Sequence, residues 1–211
     1  PRSTPLYSSA ASDVYKRQDF IKQRLDQLVG IIPQHLDLVI LGYFTDLSTV
    51  GIFRIVKRLV EPITYIITVL TPLVQNQLSK VSIKVNFSEL IKNLLLPLST
   101  IIVITYVLFG ENLINLVSVS EFLDAYEPML VLIIGYIIYL NTFWIRQLLL
   151  FSNLIQFHAL SRLISLVVFV VGSFLFVVQY GAVGIAIATS MSMIAQKMYE
   201  FYAFSKYTKQ N

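Results

Sequence analysis

Cysteine is absent from the 211 residues, and histidine occurs only twice, at His35 and His158. The first absence excludes a disulfide framework and any thiolate metal centre, and the second leaves too few ligands for a histidine cluster, so no metal site is expected. Charge is scarce too. Asp, Glu, Lys and Arg make up 13% of the chain against 56% apolar residues, and the mean hydropathy is +0.72. Such a composition lies far outside that of soluble domains and specifies a membrane protein. Also missing are a P-loop, a Gly-x-Ser-x-Gly elbow and a His-Glu-x-x-His pair, so no enzyme, cofactor or nucleic-acid partner is expected.

What the chain does have is six long apolar runs, at about 25–44, 51–73, 90–109, 128–148, 160–178 and 182–203. Each approaches the ~20 residues a helix needs to cross the hydrocarbon core. Barrel strands would be about half as long and would alternate polar with apolar, so an all-α membrane protein of six transmembrane helices is expected.

The basic residues fall on alternate connections. Arg2, Lys16, Arg17, Lys22 and Arg24 precede the first run; Lys80, Lys84 and Lys92 separate the second from the third. Arg146 and Arg162 surround the link between the fourth and fifth, and Lys197, Lys206 and Lys209 lie late in the chain. The intervening links "TDLST", "GENLINLVSVSEFLDAYE" and "QYGAVG" hold no Lys or Arg. Cytoplasmic flanks retain basic residues, so both ends of this segment are expected in the cytoplasm, with His158 and Arg162 at the cytoplasmic surface.

The second run breaks the pattern. It opens "GIFRIVKRLVEPITYIITVL", with Arg54, Lys57, Arg58 and Glu61 inside an otherwise apolar span. Arg54, Arg58 and Glu61 recur at i, i+4 and i+7 with Lys57 a turn before Glu61, and Tyr65, Thr68 and Gln75 continue the face. Snorkelling to headgroups is one reading; the other is a stripe that lines water or protein, because its exposure to lipid would cost several kcal/mol. Pro62 and Pro72 can bend this helix. In the first run Asp26, Gly30 and Asp37 share a side, and Asp37 is expected either to pair with Arg54 or Arg58 or to serve a coupling role. Tyr139, Thr142 and Arg146 follow one face of the fourth run. Gly184, Ala188, Ser192 and Ala195 give small-xxx-small spacing in the sixth, which signals close helix packing, and "GAVG" before them suits a tight turn.

These residues also resemble a family. The string "LDLVILGYFTDLSTVGIFRIVKRLVEPI", with Asp37 inside the first run and Val50, Gly51, Ile52 and Phe53 opening the second, is similar to the start of the second lobe of bacterial polysaccharide exporters. Those are the lipid-linked oligosaccharide (O-antigen) flippases of the multidrug/oligosaccharidyl-lipid/polysaccharide superfamily. "YVLFGENLINLV" and "QYGAVGIAIATSMSMIAQ" resemble later segments of the same lobe, and the likeness runs from about residue 19 to 206. The resemblance implies a two-lobe, alternating-access transporter in the bacterial cytoplasmic (inner) membrane, of which this chain would be the C-terminal six-helix lobe. Its expected partners are membrane lipids, a lipid-linked oligosaccharide and an N-terminal lobe missing here. It implies that Arg54, Lys57 and Arg58 meet the substrate's diphosphate, while Asp37 and Glu61 act as ion-pair or coupling residues.

Two alternatives stand beside it: a cation-coupled drug or metabolite exporter of the same superfamily, and a membrane-embedded glycan polymerase or acyltransferase. Residues 1–18, "PRSTPLYSSAASDVYKRQ", are polar and Ser-rich and resemble a translated adapter string, so they are expected to be non-native or disordered.

Overall fold

The computed structural model describes residues 35–79, 91–117, 120–151 and 154–210, and all of its regular structure is helical. Helix α1, His35–Phe44, is followed after two residues by α2, Leu47–Ser79. A π-helical turn, Ile91–Leu95, leads into α3, Leu96–Val117. A 3-10 helix, Ser120–Ala125, precedes α4, Tyr126–Phe151. The last element, α5, is Ile155–Gln210 and breaks at Gly181 into limbs 155–180 and 182–210.

The apolar runs thus become helices, with shifted ends. The second begins four residues before the expected Gly51 because Asp46 caps it: its Oδ1 accepts bonds from the Thr49 amide, at 3.4 Å, and hydroxyl. These bonds favour the ionised side chain, so the exposed Asp46 carboxyl is held below its usual range. The third run is displaced toward its C-terminus and absorbs "GENLINLV", part of an expected link. Residues 1–34, which include the expected non-native stretch and the first half of the first run, lie outside the described residues, as do Lys80 and Lys84.

Three helices are long and apolar enough to cross a membrane: Asn93–Val117, Leu123–Phe151 and Gln156–Lys206. By length and composition this is a helical membrane protein. Three is fewer than the six spans expected, for identifiable reasons. Only ten residues of the first run are described, the charges and polar side chains of α2 together keep it out of this class, and the last two runs are one element bent at Gly181.

Helix α4 is central, packing against α2, α3 and α5. Its buried Met129, Leu132, Leu140 and Phe143 join Phe53, Val56, Val60 and Ile63 of α2 and Ile102 of α3 in one core. Among apolar lipid tails there is no hydrophobic gain from helix association, so close packing and interhelical hydrogen bonds hold the bundle. Tyr106 on α3 donates to the Leu59 carbonyl, and Gln75 on α2 meets the buried Gln147 on α4 at 3.0 Å. A Cβ on Gly135 would lie 2.9 Å from Ser190, whose hydroxyl donates to the Val131 carbonyl at 2.8 Å.

The break in α5 makes a tight hairpin. Gly181 has φ +51°, which a residue with a side chain adopts only under strain. Beyond it the limbs return antiparallel: Gly172 faces Ala188, and a Cβ at Gly184 would sit 2.2 Å from the Phe176 carbonyl oxygen. The small-residue stripe expected in the sixth run therefore supplies the close approach. Each limb rises about 39 Å or more, enough by itself to traverse a ~30 Å hydrocarbon core.

Candidate functional site

The charged stripe of α2 divides between two environments. Arg54, Arg58 and Glu61 are exposed, and so are Tyr65, Thr68, Pro72 and Gln75 further along the same face, while the opposite face carries Phe53, Val56, Val60, Ile63 and Ile67 into the core. Lys57 stands at the edge. Its Nζ lies 2.7 Å from Oδ2 of Asp37, a carboxylate only 3% exposed whose Oδ1 takes the Leu38 amide at 2.7 Å.

This arrangement differs from the expected pairing in two respects. Asp37 selects Lys57, not Arg54 or Arg58, because Lys57 stands roughly 100° round the helix from Arg58 and turns toward α1. Glu61 meets no cation among the described residues; it accepts the Tyr65 hydroxyl at 3.1 Å. Among the described residues Arg54 and Arg58 make no hydrogen bond or salt bridge. Two guanidiniums four residues apart thus share one exposed face without a carboxylate partner among the described residues. Arg58 lies about 16 Å along the axis from the start of α2.

Of the residues expected on the fourth run's face, Tyr139 lies under an ammonium described below. Thr142 donates within its own helix at 2.6 Å, and the half-buried Arg146 has an Nε with no hydrogen-bond partner.

A second polar cluster escaped the sequence reading. Glu200 is fully buried and accepts from four side chains: Lys197 at 2.8 Å, Ser161 at 3.1 Å, Gln196 at 3.1 Å, and His158, whose Nδ1 is 2.9 Å away. Lys197 Nζ also lies 4.3 Å from the centre of the Tyr139 ring. Far from occupying the surface expected of it, His158 is 0% exposed. The one available signal was the i, i+3 spacing of Lys197 and Glu200 inside an apolar run; His158 is 42 residues from Glu200 in the chain.

At the Gly181 end of the bundle, a cavity of about 520 Å³ opens among Thr49, Glu111, Asp124, Tyr126, Glu127 and Tyr180. Its three carboxylates come from a link expected to lack basic residues. No group of His, Cys, Asp and Glu among the described residues is arranged to hold a metal ion.

The chain matches no family model, no curated protein and no solved structure.

Proposed function

We propose that this chain is the C-terminal six-helix lobe of a bacterial inner-membrane flippase. It would carry a polyprenyl-diphosphate-linked oligosaccharide across the cytoplasmic membrane by alternating access, without enzymatic chemistry. One observation carries the reading: Arg54 and Arg58, on an exposed face of α2 about 10 and 16 Å from its start, have no ion-pair partner among the described residues. Left against acyl chains, the two would cost about 5 kcal/mol or more. A water-filled vestibule shared with a second lobe removes that cost, and a diphosphate entering it supplies the missing counter-charge.

Six crossings follow if α1 with the residues before it, α2, α3, α4 and the two limbs of α5 each traverse once. In this scheme Lys57, neutralised by Asp37, supports the site more than it binds. A proton or sodium ion that competes with Lys57 for Asp37 would bias the two states if it prefers one of them.

The test restores the full-length protein and replaces Arg54 and Arg58 together by Ala. Loss of surface glycan with normal protein abundance is expected, and normal glycan would remove both residues from the mechanism. The carboxylate-rich cavity favours a second reading, a cation-coupled drug or metabolite exporter of the same superfamily. In that case replacing Glu111 and Glu127 by Gln would abolish drug resistance while the arginine variant left it intact.

A further inference from the structure

The polar face of α2 continues past its arginines to Glu61 and Tyr65, and neither the core nor the ion pairs use that part. Tyr65, on the same polar stripe, is 61% exposed. Its hydroxyl donates to Oε1 of Glu61 one turn earlier, at 3.1 Å, which favours one orientation of the ring. Glu61 is itself exposed and has no salt bridge among the described residues. We infer that Glu61 and Tyr65 form a sugar subsite that receives the first ring of a diphosphate-linked glycan. This rests on the diphosphate reading of Arg54 and Arg58.

The chemistry of the pair favours a pyranose. A sugar ring has an apolar C–H face and a rim of hydroxyls. An exposed phenol offers a flat apolar surface to the first, and the carboxylate accepts hydrogen bonds from the second. Spacing agrees. Glu61 and Tyr65 lie about 5 and 10 Å along the axis beyond Arg58, so a diphosphate on the guanidiniums delivers the adjoining ring to the next turn. An organic cation, the other ligand that a Tyr–Glu pair suits, is repelled by the two guanidiniums alongside.

The test compares two probes on the full-length protein in nanodiscs, with binding read by native mass spectrometry. One probe is farnesyl diphosphate, and the other is the same molecule linked to N-acetylglucosamine. The wild type should bind the glycosylated probe about tenfold more tightly, ~1.4 kcal/mol. Tyr65→Ala and Glu61→Gln should each erase most of that difference while leaving the bare diphosphate unchanged, and Arg58→Ala should weaken both probes. Equal affinity for the two probes in the wild type, or a Tyr65→Ala variant that keeps the full preference, overturns the sugar subsite alone. Binding of bare diphosphate that ignores Arg58 overturns the diphosphate reading instead, and a wild type that binds neither probe overturns both.

Discussion

At the level of single residues, the most heavily constrained group is the buried carboxylate of Glu200. Four donors converge on it from both limbs of α5, and the only ammonium among them, Lys197, is 3% exposed. Removing one member of such a pair strands the other charge, which typically costs about 3–5 kcal/mol. Lys197→Met should therefore lower the thermal unfolding midpoint in detergent by on the order of 10 °C. Adding Glu200→Gln to that variant should recover more than half of the loss, because no charge then remains stranded. Trp144 gives the readout, since it meets Phe204 of the same limb edge-on at 6.3 Å. An unchanged midpoint in the single variant would show that the cluster adds nothing to stability. The contrast with Asp37 is instructive about what a sequence discloses. A lone carboxylate inside an apolar run, with cations in the next run, announces that a pair exists, but which cation turns inward depends on how α1 sits against α2. For His158 even the announcement is missing, because its partner comes from the far limb of a hairpin whose register the spacing does not reveal.

Among the elements, the hairpin of α5 is where sequence and structure agree most closely, and the reason is steric. Gly184 and Ala188 have side chains small enough for close approach, so their spacing reads directly as packing, while Gly181 supplies the turn. The described structure adds what each one meets: Phe176 opposite Gly184, and Gly172 opposite Ala188. The obstruction at Gly184 is the backbone of the opposing limb, which cannot rotate aside. Gly184→Val should therefore splay the limbs and destabilise the protein by several kcal/mol, at or beyond the upper end of ordinary overpacking penalties. Ala188→Gly, which only removes a methyl group, should cost about 1 kcal/mol. Spin labels at the exposed Leu163 and Met198 would report the separation of the limbs, and an unaltered distance in Gly184→Val would contradict this packing. Helix α2 was harder to delimit. Its apolar run suggested a start at Gly51, but the cap at Asp46 works through hydrogen bonds to which hydropathy is blind.

For the molecule as a whole, the unresolved contrast is between six crossings and three, and it turns on α2 and the hairpin. Helix α2 runs for 33 residues, or about 50 Å, which exceeds the hydrocarbon thickness. The charges near its start and the polar face that continues through Tyr65, Thr68 and Gln75 separate it from α3 and α4 in character. If a partner lobe or a polar ligand shields those charges, α2 crosses, and the alternation of basic and base-free links then places Asp46, Asp124 and Tyr180 on the outer side. Asn76, Gln156 and Lys206 fall on the inner side by the same reasoning. The absence of native cysteine makes this directly measurable, because each single-cysteine variant reports only on itself. All six of these residues are exposed. A membrane-impermeant maleimide applied to intact cells should label the first three, and the second three only after permeabilisation. Labelling of Asp46 and Asn76 from the same side would mean that α2 does not cross. Its arginines would then sit at headgroup depth, and the enclosed vestibule that the diphosphate reading needs would not form around them. Labelling of Tyr180 and Lys206 from the same side would make the hairpin re-entrant. The whole set reversed would keep six crossings but invert the orientation, so that the two guanidiniums lay nearer the cytoplasm.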